Sequence, residues 1–187
     1  RDIAAYDEFY KRLIEKVKDM RMDDPMSEGV DIGPMSRKDL RDGLHDQVQR
    51  AIKSGAKLEC GGEIPDRDGA WYPPTVLTNV TQGNPAFNEE LFGPVASVVV
   101  ADNEAHAIEL ANDCPYGLGS TVVAKDDERG ERVSRQLQAG MSFVNRPTTP
   151  FAQLPFGGVK GSGYGREQSE YGFGAFMNIR TVYVAEH

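Results

Sequence analysis

The chain has 187 residues, of which 39% are hydrophobic and 27% charged, and its formal net charge is −8. That balance fits a globular protein with one hydrophobic core, or a core plus an arm. The acidic excess argues against a nucleic-acid or anionic-membrane surface, and no apolar run approaches the roughly 20 residues that span a bilayer. No signal-peptide pattern is present, although the first residue is Arg1 rather than Met. Cys60 and Cys114 lie far apart, without metal-ligand spacing or a disulfide framework, so a reducing, cytoplasmic setting is expected.

Ile3, Tyr6, Phe9, Tyr10, Leu13, Ile14 and Val17 recur at spacings of three and four, which predicts an amphipathic helix over residues 1–20. Turn formers punctuate residues 23–34, and a second helix is expected over 36–54, capped by Ser36 and stopped by Gly55. Residues 57–60 read as a short strand and 71–77 as an extended, irregular one. From there the pattern alternates: a buried strand at 96–101, a helix at 103–112, a strand at 120–124, a helix at 127–138 and a strand at 142–145. Strand and helix in alternation with short links predict an α/β sheet. Residues 155–174 are crowded with glycine and read as an ordered loop or an interrupted helix. Residues 177–185 alternate apolar and polar, which predicts a lone terminal strand that pairs with a distant sheet or another subunit.

Two stretches are candidates for chemistry. In Asn88-Glu89-Glu90-Leu91-Phe92-Gly93-Pro94-Val95, Glu90 and Phe92 stand two apart on a backbone that glycine and proline restrict. A carboxylate beside an aromatic ring suits a ribose diol next to a flat heterocycle. The residues alone favour a plainer reading, a solvated acidic turn with Phe92 in the core. The second stretch, Pro155-Phe156-Gly157-Gly158-Val159-Lys160-Gly161-Ser162-Gly163-Tyr164-Gly165-Arg166-Glu167, lacks both phosphate-loop arrangements. Tight backbone packing near a site built elsewhere is its expected role. Neither cysteine has a basic neighbour to activate it, so both read as structural. The histidines, His45, His106 and His187, are scattered, and the first two are expected to face solvent.

Taken in order, several segments resemble one family, the aldehyde dehydrogenases. Glu89-Glu90-Leu91-Phe92-Gly93-Pro94 resembles its E-x-F-G-P motif, and Ala111-Asn112-Asp113-Cys114-Pro115-Tyr116-Gly117-Leu118 its A-N-x-x-x-Y-G-L segment. Ala139-Gly140-Met141-Ser142-Phe143-Val144-Asn145 resembles A-G-x-x-x-x-N, and the glycine-rich stretch resembles P-F-G-G-x-K-x-S-G-x-G-R-E. Gly33-Pro34 and Gly61-Gly62 also fall where the family has turns.

The resemblance implies an α/β fold with an open, twisted, mainly parallel sheet flanked by helices over residues 1–176. It implies a C-terminal β-strand arm over 177–187 that joins a homo-oligomer, a dimer or tetramer. The implied reaction is oxidation of an aldehyde to an acid, in which a cysteine attacks the aldehyde, NAD or NADP accepts hydride and water hydrolyses the thioester. By the same resemblance Glu90 would hold the nicotinamide-ribose hydroxyls and Phe92 would pack near the nicotinamide. Glu167 would belong to a proton path, and Asn145, Arg146 and the following loop would shape the aldehyde entrance. Nothing in the chain matches the family's glycine-glutamine-x-cysteine context. The nucleophile, the general-base glutamate and the N-terminal cofactor domain are therefore expected upstream, and the chain alone is expected to be inactive. Residues 144–150 and 156–167 look similar to the succinate-semialdehyde dehydrogenase branch, where Arg146 would pair with a substrate carboxylate or remain an exposed loop arginine. Competing readings are a non-catalytic assembly module of the same fold and a CoA-acylating relative.

Overall fold

The apolar stripe at the start of the chain forms α1 (Ile3–Asp19) in the computed structural model, which describes residues 3–186, with side chains from Tyr6 onward. His187 lies outside the described residues. The chain divides into two compact units, with the boundary between Ala107 and Ile108. No helix among the described residues is long and apolar enough to cross a membrane.

In unit 1, the stacked rings of Tyr6 and Tyr10 project from α1, and the Tyr10 hydroxyl donates to Glu59. The second helix, α2 (Lys38–Lys53), begins two residues later than expected. Its N-cap is Arg37, which makes no side-chain cap bond, so Ser36 is not the cap. Its end is as read from Gly55: the Gly55 amide donates to Ile52 O and the Ala56 amide to Ala51 O, a Schellman closure with Gly55 at φ +102°. Leu44, Val48 and Ala51, spaced along one face of α2, are buried.

That face belongs to a core that also holds Tyr72, Leu77, Val80 and Ala86. Three strands follow: β1 (Lys57–Cys60), β2 (Thr75–Thr78) and β3 (Val95–Ser97), in the order β1-β2-β3. β1 runs antiparallel to β2, and β3 parallel to it. All four β2 residues are buried, as expected of a central strand. The strand expected at 96–101 is shorter and only half-buried. Its partner β2 stops at Thr78, and the bond from Val98 N to Leu77 O is its last rung. Between β2 and β3 lies α3 (Pro85–Asn88), capped by the buried Asn84. The Asn84 Oδ1 accepts from Ala86 N, and its Nδ2 donates to Ala51 O and Ser54 O, so one amide ties α3 to the end of α2.

His45 does not face solvent as expected. It sits on α2 with Nδ1 3.3 Å from the Tyr72 hydroxyl, because the fully buried Tyr72 ring brings its only polar atom there. Burial pushes the Tyr72 phenol up to about 12, and the Glu59 bond, followed by burial, pushes Tyr10 to about 12. A raised phenol stabilises the fold fully below its unfolded value near 10, and this contribution is lost as pH climbs through 12. Unit 1 is therefore expected to lose about 2–3 kcal/mol at Tyr72 between those values. Urea midpoints taken at rising pH should fall more gently for Tyr72→Phe than for wild type, and equal slopes would refute this.

Helix α4 (Glu104–Asn112) runs through the boundary, and the Asn103 Oδ1 accepts from the amide of His106. His106 is half-buried beside Asp102 rather than facing solvent.

Unit 2 contains two small ladders. β4 (Tyr116–Gly117) pairs antiparallel with β7 (Val159–Lys160), and β5 (Gly119–Val122) pairs parallel with β6 (Met141–Val144). The crossover from β5 to β6 is α5 (Asp127–Ser134), whose cap Asp126 accepts from the amides of Glu128 and Arg129. The glycine-rich stretch holds β7 and the short α6 (Ser169–Gly174). The α/β class is as expected, with parallel pairing in β2–β3 and β5–β6, although the named strands form three separate sheets rather than one. Residues 177–186 form no strand and are exposed, since a strand needs a ladder partner. The buried positions of unit 2, among the described residues, are Gly117, Gly130 and Gly158.

Candidate functional site

In unit 1 the acidic loop leaves α3 and reaches β3 within a few residues. Leu91 packs against the core, while Glu90 and Phe92 on either side of it are exposed, Phe92 by 77%. The expectation of Phe92 in the core is thus corrected: Leu91 takes the inward position, and alternation turns its neighbours outward. The loop's far end is fixed by the bond from Thr75 N to Pro94 O, which leads into the parallel ladder.

The near end is held by α2. Arg50 donates from both terminal nitrogens to Glu89, at 2.7 and 2.8 Å, and from Nε to Asp46 at 2.8 Å. The Gln47 amide donates to Glu89 Oε2 at 3.0 Å and to the backbone carbonyl of Glu90 at 3.1 Å. These donors, Arg50 foremost, hold the Glu89 carboxyl down at about 2. Its ionised form persists through and below the ordinary glutamate range and is lost only as pH falls towards 2. Gln47 and Arg50 were not singled out from sequence; the available signal was a basic helix end and an acidic pair some forty residues later.

In unit 2 the family-like motifs interlock with one another. Lys160 Nζ donates to the carbonyls of Asn112 and Cys114, and Gly161 N to Pro115 O. The Gly117 amide donates to Ser162 Oγ, Gly140 N to Gly117 O, and Arg166 to Gly158 O. Tight backbone packing is therefore what the glycine-rich stretch does here.

Asn145 ends β6 at φ +54°. Its Oδ1 accepts from Ala124 N and its Nδ2 donates to Asp127, so its amide staples the loop base. The Arg146 guanidinium lies 4.6 Å over the Phe151 ring. Phe151, with Phe143, Leu154, Phe156 and Gln168, helps line a cavity of ≈ 190 Å³. Gln168 adopts φ +60°, and its buried Oε1 has no hydrogen-bond partner. Glu167 bridges Phe156 through both backbone groups and is exposed beside an open apolar groove lined by Phe173 and Phe176. Cys60 and Cys114 are half-buried, and burial pushes the Cys60 thiol up, away from the thiolate.

Comparison with known proteins gives this geometry its context. The chain is 44% identical over 175 residues to an Escherichia coli succinate semialdehyde dehydrogenase [NAD(P)+], covering 94% of this chain and 38% of that protein. It is 42% identical over 180 residues to the succinate-semialdehyde dehydrogenase [NADP(+)] of Mycobacterium leprae, covering 96% and 39%. The crystal structure of succinic semialdehyde dehydrogenase from Streptococcus pyogenes in complex with NADP+ superposes with a TM-score of 0.92 at 39% identity, covering 97% of this chain and 40% of that one. The chain thus spans about two-fifths of the length of these relatives. With residues 3–182 matching its pattern, the chain belongs to the aldehyde dehydrogenase family.

Proposed function

We propose that this chain is the nicotinamide-contacting and substrate-entrance part of an NAD(P)-dependent aldehyde dehydrogenase that oxidises succinate semialdehyde to succinate. The observation that carries the reading is the outward pair Glu90 and Phe92 on a loop anchored at both ends. An exposed carboxylate accepts two hydroxyl hydrogen bonds from a ribose, and an exposed ring covers apolar area of a flat heterocycle, so these residues fit the nicotinamide half of the cofactor. NAD and NADP share that half, and the choice between them falls to residues outside this chain. When bound, the dinucleotide supplies the hydride acceptor.

Arg146 pairs with the carboxylate of the semialdehyde, steadied by the Phe151 ring, while Asn145 holds the base of the entrance loop. Glu167 serves in a proton path. The nucleophilic cysteine and the general-base glutamate belong to residues outside this chain, so the chain alone is inactive. The region 177–187 is the arm of a homo-oligomer, and the compartment is cytoplasmic.

The test compares this chain alone with an enzyme that joins it to the N-terminal residues its relatives carry. The joined enzyme is expected to reduce NAD(P)+ with succinate semialdehyde and to favour it over butanal; the chain alone should form neither reduced cofactor nor thioester. Glu90→Gln should raise the cofactor KM about tenfold with the aldehyde KM unchanged. An unchanged cofactor KM refutes the role of Glu90, and equal use of butanal refutes the semialdehyde assignment.

A further inference from the structure

Two acidic residues stand side by side in the loop, and α2 treats them differently. Glu89 is taken up by Arg50 and Gln47, and Glu90 is left exposed, held among the described residues through its backbone carbonyl. The contact that reaches Glu90 therefore fixes where its Cα sits and leaves its carboxylate free. Packing reinforces this: a Cβ at Gly93 would collide with the buried Leu44 side chain of α2, so the loop lies directly against the helix. Arg50 is itself steadied from behind by Asp46, one helical turn earlier.

Resting on the reading of Glu90 as the ribose contact, we infer that Arg50 and Gln47 are positioning residues for the cofactor: Arg50 through Glu89, and Gln47 through Glu89 and the Glu90 carbonyl, set the placement of Glu90 and thereby cofactor affinity. They touch neither substrate nor the reacting atoms. Ordering a contact before ligand arrives removes part of the cost of binding, so the clamp acts on affinity rather than on the chemical step. The Arg50 and Glu89 side chains are 41% and 38% exposed, which makes the pair accessible to salt. The fork geometry also matters, because lysine offers a point charge in place of two parallel donors.

The experiment uses the joined enzyme and calorimetric titration with NADP+ and NAD+, beside steady-state kinetics. Arg50→Ala is expected to weaken cofactor binding about three- to fivefold, with kcat at saturating cofactor unchanged. Arg50→Lys should fall between the two. Arg50→Glu should weaken binding further, and adding Glu89→Arg to it should restore the affinity. The gap between wild type and Arg50→Ala should close as salt rises from about 0.05 to about 0.5 M. A merely structural arginine would shift the thermal midpoint instead and show neither the swap rescue nor the closing gap. If Glu90→Gln weakens cofactor binding while Arg50→Ala leaves it intact, the clamp is refuted and the reading of Glu90 stands. If Glu90→Gln changes nothing, that reading fails and the clamp's role in cofactor binding falls with it.

Discussion

Gly140→Ala is expected to destabilise unit 2 by about 3 kcal/mol or more, enough to unfold it in a marginally stable chain. A Cβ at this position would fall on the backbone carbonyl oxygen of Gly157, with the carbonyl carbon at 2.8 Å and the Gly158 Cα at 3.0 Å. These are main-chain atoms, so no rotamer change relieves the clash. Nor can the segment step back: Gly157 is packed against Gly165 and Arg166, Gly158 against Ser162, and Phe156 is bridged to Glu167. On the other side, Gly140 N is held by Gly117 O. Gly174→Ala is the control, because nothing lies within 4 Å of its Cβ. It should be neutral or stabilising by a few tenths of a kcal/mol, as expected for a helical glycine in open space. Urea unfolding of the two variants measures the difference, and similar midpoints would mean that the motifs do not interlock.

In unit 1 the largest loss is expected from Leu77→Ala, about 2–5 kcal/mol. Leu77 is 0% exposed, pairs with Leu58 in β1 and with Ser97 in β3, and its carbonyl takes the last rung from Val98. The truncation opens a cavity at the centre of the core cluster, where backbone on both flanks is hydrogen-bonded and relaxes little. Ile179→Ala, at a residue 97% exposed, removes a similar side chain and should change the unfolding free energy from urea titration by less than about 0.5 kcal/mol. Equal effects at the two sites would place the core elsewhere.

The legible parts of this fold are those written locally. The stripe of α1, the Gly55 stop of α2 and the strand at residues 57–60 each depend on neighbours within a few positions, and each stands where the sequence places it. What was not legible depends on distant partners. The length of β3 is set by where β2 ends, and the terminal alternation over 177–185 is a strand only if another strand lies beside it. His45 reads as polar helix surface until Tyr72 arrives against it.

The site divides in the same way. The pairing of Glu90 with Phe92 follows from their spacing, but Phe92 is apolar enough to read as core. Only the packing of Leu91 decides which residue turns inward. Arg50 and Glu89 meet across 39 positions, a distance at which no local pattern announces a contact. In unit 2 the motifs are legible as a set, and their glycines and Lys160 tie one motif to another. Lys160 looks like a chemical group and spends its ammonium on two backbone carbonyls.

The burial of Gly117, Gly130 and Gly158, with no larger residue buried beside them among the described residues of unit 2, has a consequence for how such a chain varies. In unit 1, information sits in side-chain volume, and one hydrophobic residue can stand in for another of similar size. In unit 2 it sits in the lack of volume, and glycine has no smaller substitute. A hydropathy profile registers the first kind of constraint and misses the second. Drift in unit 2 is therefore channelled to its surface, while the places where main chain meets main chain stay closed to every other amino acid.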